Sequence, residues 1–170
     1  KYGCIGKKLG HSFSKDIHAK LADYKYELIE LNEEEIDSFF KQKDFAAINV
    51  TIPYKQTVIP YLDSISEIAN RIGAVNTIVN KDGKLFGYNT DYYGMKALIE
   101  KTGIDFQNKK VLILGTGGTS KTAQVVAQDL GANQILTVSR RESLEFITYD
   151  QAKKNHSDAN IIINTTPSGM

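Results

Sequence analysis

The chain is poor in the residues that staple a fold or carry it across a membrane. Of 170 residues, one is cysteine, three are proline and none is tryptophan. A lone Cys4 excludes an internal disulfide framework, and its place in the apolar run 2–5 predicts a buried small hydrophobe, not a nucleophile or metal ligand. No apolar run approaches the roughly 18 residues a spanning helix needs, and the first residues read as a strand and not as a signal peptide, so a cytoplasmic location is expected. Excess charge is missing as well: 21 basic against 20 acidic residues leave a net +1, and the block Glu33-Glu34-Glu35 is too short to be a tail. With no field to attract nucleic acid or a membrane surface, the expected partner is a small molecule. The His, Cys and carboxylate residues lack metal-ligand spacing, so no metal is expected.

What is present is ordinary for a globular protein: 41% hydrophobic and 24% charged residues. Strand-like runs at 2–5, 26–30, 46–50, 75–80, 111–114, 134–139 and 160–164 alternate with helix-like runs at 15–23, 33–41, 56–62, 66–71, 92–101, 120–130 and 149–154. That alternation predicts an α/β fold with parallel pairing and helical crossovers. Asp82-Gly83 between apolar residues predicts a hairpin at a sheet edge. A boundary near Asp91 separates an N-terminal, open, mainly parallel α/β domain (1–91) from a second domain (92–170). The last residues, 164–170, read as a strand end and its following turn, so the second domain is expected to be incomplete in this chain.

The run Val111-Leu-Ile-Leu-Gly-Thr-Gly-Gly-Thr-Ser-Lys-Thr-Ala123 is a buried strand, a glycine-rich turn and a helix start, the order a Rossmann-like pyrophosphate site requires. Gly115 suits the tight turn, and Gly117 and Gly118 let backbone N–H groups approach a phosphate at the positive helix end. Ser120 stands where the usual fingerprint has its third glycine and keeps a small residue at the helix–strand contact. A glycine turn used only for packing is the alternative. The next strand ends in Arg140 and Arg141, where a site for NAD carries an acidic residue. Two guanidinium forks there favour NADP, whose 2′-phosphate they bind, although a solvated basic turn has the same sequence.

Four segments of the first domain put polar residues at strand ends, where open parallel sheets gather ligands. In Gly10-His-Ser-Phe-Ser14, Ser14 reads as the N-cap of the following helix, and two hydroxyls at a positive helix end make a carboxylate receptor. In Asn49-Val-Thr-Ile-Pro-Tyr-Lys55, alternation puts Asn49 and Thr51 on one face, and a lysine at a helix start is electrostatically disfavoured, which calls for a functional explanation. The third is Gly73-Ala-Val-Asn-Thr77. The fourth, Gly87-Tyr-Asn-Thr-Asp91, ends in a carboxylate that is either an N-cap or a catalytic group.

These strings, in this order and closing on Asn164-Thr-Thr-Pro-Ser-Gly-Met170, resemble the shikimate dehydrogenase family over essentially the whole chain. The resemblance implies reversible NADPH-dependent reduction of 3-dehydroshikimate to shikimate. It implies that Ser12 and Ser14 hold the substrate carboxylate, that Asn49, Thr51 and Asn76 bind ring hydroxyls, and that Lys55 and Asp91 are the catalytic pair. For the cofactor it implies pyrophosphate at Gly115, Thr116, Gly117, Gly118, Thr119 and Ser120, the adenosine phosphate at Ser139, Arg140 and Arg141, and the nicotinamide beside Thr165, Thr166 and Met170. A monomer or homodimer is expected. Lys15 and Ala19 depart from the family's usual proline and asparagine without removing a proposed ligand. His11 and His18 are expected to pack or hydrogen-bond, and His156 to be exposed. Competing readings are a dehydrogenase that also accepts quinate, and a catalytically silent NADPH- or shikimate-binding sensor; retention of both Lys55 and Asp91 argues against the sensor.

Overall fold

Short apolar strands bury themselves between helices in two successive sheets, as a computed structural model of the chain shows for residues 1–10 and 12–168. His11, Gly169 and Met170 lie outside the described residues, and with them the expectations placed on His11 and Met170. The chain divides into two compact units, Lys1–Thr90 and Asp91–Met170.

In the first unit, β1 (Tyr2–Gly6), α1 (Ser14–Leu21), β2 (Tyr26–Glu30), α2 (Glu33–Gln42) and β3 (Ala47–Val50) make two crossovers, with β1 pairing in parallel to β2 on one side and β3 on the other. A short strand β4 (Ser64–Ile65), α3 (Glu67–Ile72) and the hairpin β5 (Thr77–Lys81) and β6 (Lys84–Tyr88) complete a sheet of order β2-β1-β3-β5-β6-β4. Asp82 and Gly83 both have positive φ, 53° and 80°, the backbone a tight hairpin of this hand demands. Strand alternation sorts the side chains. Ile5, Ile48 and Val50 enter a core with Ile36, Phe40 and Phe45, whereas Cys4, Leu9 and Tyr26 form a separate cluster with Leu28.

Two expectations are corrected here. The hairpin is not at the sheet edge, because β4 pairs in parallel outside β6; β5 runs antiparallel to β3 in a sheet whose other strands pair mainly in parallel. The run 56–62 is not an α-helix. Hydrogen-bonded turns (Tyr54 N to Thr51 O, Val58 N to Tyr54 O) lead into a 3₁₀ turn at Ile59–Tyr61. Thr57, Val58 and Ile59 are β-branched and Pro60 has no N–H to give, so a regular helix has little to hold it. Lys55 therefore sits in a turn, and the conflict with a positive helix end disappears.

The second unit contains α4 (Asp91–Thr102), β7 (Lys110–Leu114), α5 (Gly118–Asp129), β8 (Gln134–Ser139), β9 (Ile147–Thr148), α6 (Tyr149–Asn155) and β10 (Ile161–Asn164). Its sheet, β10-β7-β8-β9, is parallel throughout. Central β7 is covered on both faces: Val111 and Ile113 pack with Ala123 and Ala127 of α5, while Leu112 joins Val138 and Ala152 of α6. His156 caps α6 half-buried, with Nδ1 shielded and lacking a hydrogen-bond partner among the described residues, which corrects the expectation that it is exposed.

Phe40 is 2% exposed and its ring meets those of Phe39, Phe45 and Tyr61. Phe40→Ala is expected to cost about 3–5 kcal/mol in urea unfolding; a loss below about 1 kcal/mol would contradict this packing.

Candidate active site

The C-terminal ends of β1 and β3 and the segment entering β5 bring the polar strings of the first unit together. Close approach begins with the backbone. Thr51 N donates to Ile5 O at 2.9 Å, and a Cβ on Gly6 would lie 2.7 Å from Thr51 Cγ2, so only glycine lets the threonine sit against β1. Val50 N donates to Asn76 O at 2.8 Å, and Val75 N donates to Lys55 O at 2.7 Å, which ties the Lys55 turn to the segment carrying Asn76.

Side chains continue the same web. The Asn49 amide donates from Nδ2 to Thr77 Oγ1 at 3.2 Å and more weakly to Asn76 O at 3.5 Å. Asn49 Oδ1 accepts from the Tyr26 hydroxyl at 2.6 Å. Asn76, 7% exposed, accepts at Oδ1 from Thr90 N at 2.8 Å and from Thr77 Oγ1 at 3.1 Å, and donates from Nδ2 to Thr90 Oγ1 at 2.9 Å. Asn89 is buried and donates to Ala74 O, pinning the segment just before Asp91. Asp91 itself is the first residue of α4.

At the other end of the web lie the serines. Ser14 is not the N-cap of α1: Phe13 holds that position without a side-chain bond, and Ser14 is the first helical residue. Its N–H is accepted by Ser12 Oγ at 3.3 Å. Burial holds the Tyr26 phenol well above its ordinary range, so it stays a donor. One turn on, His18 stacks on the Tyr26 ring at 3.9 Å and 13° and bonds through Nδ1 to the Tyr24 hydroxyl. Burial likewise pushes the Cys4 thiol up, against the pull of the Lys55 ammonium.

In the second unit a separate cradle forms between β7 and α5. Gly115 has φ +108°, its N–H donates to Val138 O, and a Cβ there would lie 2.8 Å from Thr165 Oγ1. Thr165 in turn donates to Leu114 O at 2.6 Å, and Thr166 Oγ1 donates to Asn164 Oδ1 at 2.7 Å, which holds the segment after β10 against the glycine turn. Gly117 is the N-cap of α5 and offers no side-chain cap; the first turn has no acidic residue, and a Cβ on Gly117 would meet nothing within 4 Å. The first bond inside this stretch runs from Lys121 N to Gly117 O, so the N–H groups of Gly118 and Thr119 have no helical acceptor. This is an open seat for an anion. Thr116 is exposed beside it, and Ser120 is fully buried, its Oγ accepting from Gln124 Nε2 at 3.5 Å. At the end of β8, Ser139 Oγ accepts from Arg141 N at 3.1 Å, a turn that leaves Arg140 and Arg141 exposed. No three His, Cys, Asp or Glu side chains converge as a metal site, and no helix is long and apolar enough to cross a membrane, among the described residues.

The first unit thus gathers hydroxyls, carboxamides and one ammonium suited to a polyhydroxylated acid, and the second gathers bare N–H groups and guanidinium ions suited to phosphates. Residues 4–78 match the shikimate dehydrogenase substrate binding domain. The shikimate dehydrogenase (NADP⁺) of Clostridium beijerinckii is 42% identical over 99% of this chain and 68% of its own length. The chain belongs to the shikimate dehydrogenase family. Crystal structures agree: shikimate dehydrogenase 1 of Peptoclostridium difficile superposes with a TM-score of 0.90 at 37% identity, covering 99% of this chain and 68% of that one. The Thermus thermophilus enzyme in complex with NADP(H) and shikimate gives 0.81 at 26% identity, covering 97% and 67%. Within a shikimate dehydrogenase scaffold, Thr77 and Thr90 lie in strings the sequence singled out without giving them a role, and Tyr26 lies in none; only its spatial neighbours join it to this web.

The two cradle glycines separate by stability. Gly115→Ala must strain a positive φ and crowd Thr165, and is expected to lose about 1–3 kcal/mol in thermal unfolding. Gly117→Ala has room, and its stability should stay within about 1 kcal/mol. The reverse order would contradict the cradle geometry.

Proposed function

We propose that this protein catalyses the reversible reduction of 3-dehydroshikimate to shikimate with NADPH. The observation that carries the reading is the web that joins Tyr26, Asn49, Thr77, Asn76 and Thr90, with Lys55 tied to the same segment and α1, which Ser14 opens, stacked on Tyr26 through His18, on a chain of this family. The Ser12 and Ser14 hydroxyls hold the substrate carboxylate. Asn49 and Thr51 bind ring hydroxyls; the Asn76 amide, already committed to Thr90, contributes its remaining hydrogen. Every one of these groups is neutral, so each positions the ring without competing for the reaction's proton.

The residues of the cradle fit NADP. Gly117, Gly118 and Thr119 offer backbone donors and Thr116 a hydroxyl to the pyrophosphate, Gly115 permits the turn, and Ser139, Arg140 and Arg141 take the 2′-phosphate. Thr165 and Thr166 line the nicotinamide side. The reduced nicotinamide, when bound, supplies a hydride to the ketone carbon. Negative charge then develops on the ketone oxygen, and the Lys55 ammonium stabilises it and donates the proton that completes the alcohol. Asp91 is its acid–base partner. In the oxidative direction Lys55 accepts that proton, the reverse of the same step.

Mixing full-length protein, NADP and shikimate should raise the absorbance of reduced nicotinamide. Cofactor binding without that rise would mean a sensor, and equal rates with quinate would mean broader specificity. Lys55→Ala is expected to lower turnover about 100-fold or more with a far smaller change in shikimate affinity; equal turnover would overturn the role of Lys55. Arg140→Asp should move the ratio of kcat/KM for NADP over NAD toward NAD, since a carboxylate repels the 2′-phosphate. An unchanged ratio would remove Arg140 from the cofactor site.

A further inference from the structure

Tyr26 enters no part of the chemistry above, yet its phenol lies between the two ends of the substrate web. Its hydroxyl donates to Asn49 Oδ1 at 2.6 Å, and its ring stacks on His18 of α1, the helix that Ser14 opens. The bond to Asn49 has a directional consequence. A carboxamide can flip, exchanging oxygen for NH₂, and a donor fixed at Oδ1 forbids the exchange. Nδ2 is then turned toward Thr77 Oγ1 at 3.2 Å, and its second hydrogen has only Asn76 O at 3.5 Å to occupy it. That weakly engaged hydrogen is the one a ligand hydroxyl can take.

The ring is held as firmly as the hydroxyl. Tyr26 is 5% exposed, packed with Cys4 and Leu9, and covered on one face by His18, which is itself bonded to Tyr24. His18 and Ser14 stand one turn apart on α1, so the helix that carries a proposed carboxylate ligand also clamps the ring that orients a proposed hydroxyl ligand. No charged side chain is needed for this, and the buried phenol remains a neutral donor.

Resting on the shikimate reading, we infer that Tyr26 is a positioning residue that fixes the Asn49 amide and locks the distance between the carboxylate-binding and hydroxyl-binding ends of the site. The test is Tyr26→Phe in the full-length protein, which removes one oxygen and keeps the ring and its stack on His18. Shikimate Kd by calorimetry and KM should each rise about tenfold or more, while kcat stays within about threefold and NADPH Kd within about twofold. The last value, with an unchanged far-UV spectrum, reports that the variant is folded. In an Asn49→Ala background the same substitution should have little further effect, because the group it orients is gone.

Shikimate affinity within twofold of the parent would overturn the inference, as would effects of Tyr26→Phe and Asn49→Ala that simply add, since a merely structural tyrosine weakens the site independently of Asn49. A fall in kcat with KM unchanged would also overturn it, because that is loss at the reacting centre and not in positioning. If the parent binds NADPH but no shikimate, the functional reading fails and this inference falls with it; the parent's own titration separates that outcome from the others.

Discussion

A buried carboxamide with every polar atom committed is the constraint on which the first unit's site depends. Asn76 takes Val50 N on its backbone carbonyl, Thr90 N on Oδ1 and Thr90 Oγ1 on Nδ2, at a position 7% exposed. Burying an amide costs several kcal/mol unless it is bonded, so the fold has few ways to place this residue. The end of β3, the entry to β5 and the exit of β6 must meet around it. Asn49, Thr51 and the Lys55 turn hang from β3, and Asn89 and Thr90 follow β6. Satisfying one polar side chain thereby assembles the polar groups of three chain segments at one end of the sheet.

Elsewhere the sheet supplies rigidity and the loops supply chemistry. In the second unit the buried strand β7, covered by α5 and α6, ends in a glycine turn whose N–H groups point at nothing else in the helix. The two devices differ in kind. The first unit presents neutral hydrogen-bonding groups in fixed directions, which discriminate shape. The second presents backbone dipoles and two exposed guanidinium ions, which discriminate charge. A dehydrogenase needs both: a fixed ring and a phosphate anchor.

The legibility of these features in the sequence follows their range. Glycine turns, the Arg140-Arg141 pair and the strand-end strings are local and stood out at once. Strands β4 and β9, two residues each, were missed because each is too short to show a pattern and exists only through its pairing, Ser64 with Phe86 and Val138 with Ile147. Ser14 looked like a helix cap because serines before helices usually are; it is instead the first helical residue, its N–H on Ser12 Oγ. The run 56–62 has helical spacing of apolar residues, but three β-branched residues and Pro60 hold it to turns. Ser120, read from its spacing as the small residue at a helix–strand contact, is buried; its place in the phosphate cradle was implied by the resemblance alone. Tyr26 carried no signal at all, since an aromatic residue opening a strand is ordinary until its hydroxyl is found on Asn49.

The most direct measurement is a crystal structure of the full-length protein with shikimate and NADP. The account requires the carboxylate at the Ser12 and Ser14 hydroxyls, a ring hydroxyl on Asn49, and Lys55 Nζ within hydrogen-bond reach, about 3 Å, of the oxygen that is oxidised. Shikimate bound with its ring reversed, or Lys55 Nζ turned away from that oxygen, would contradict it.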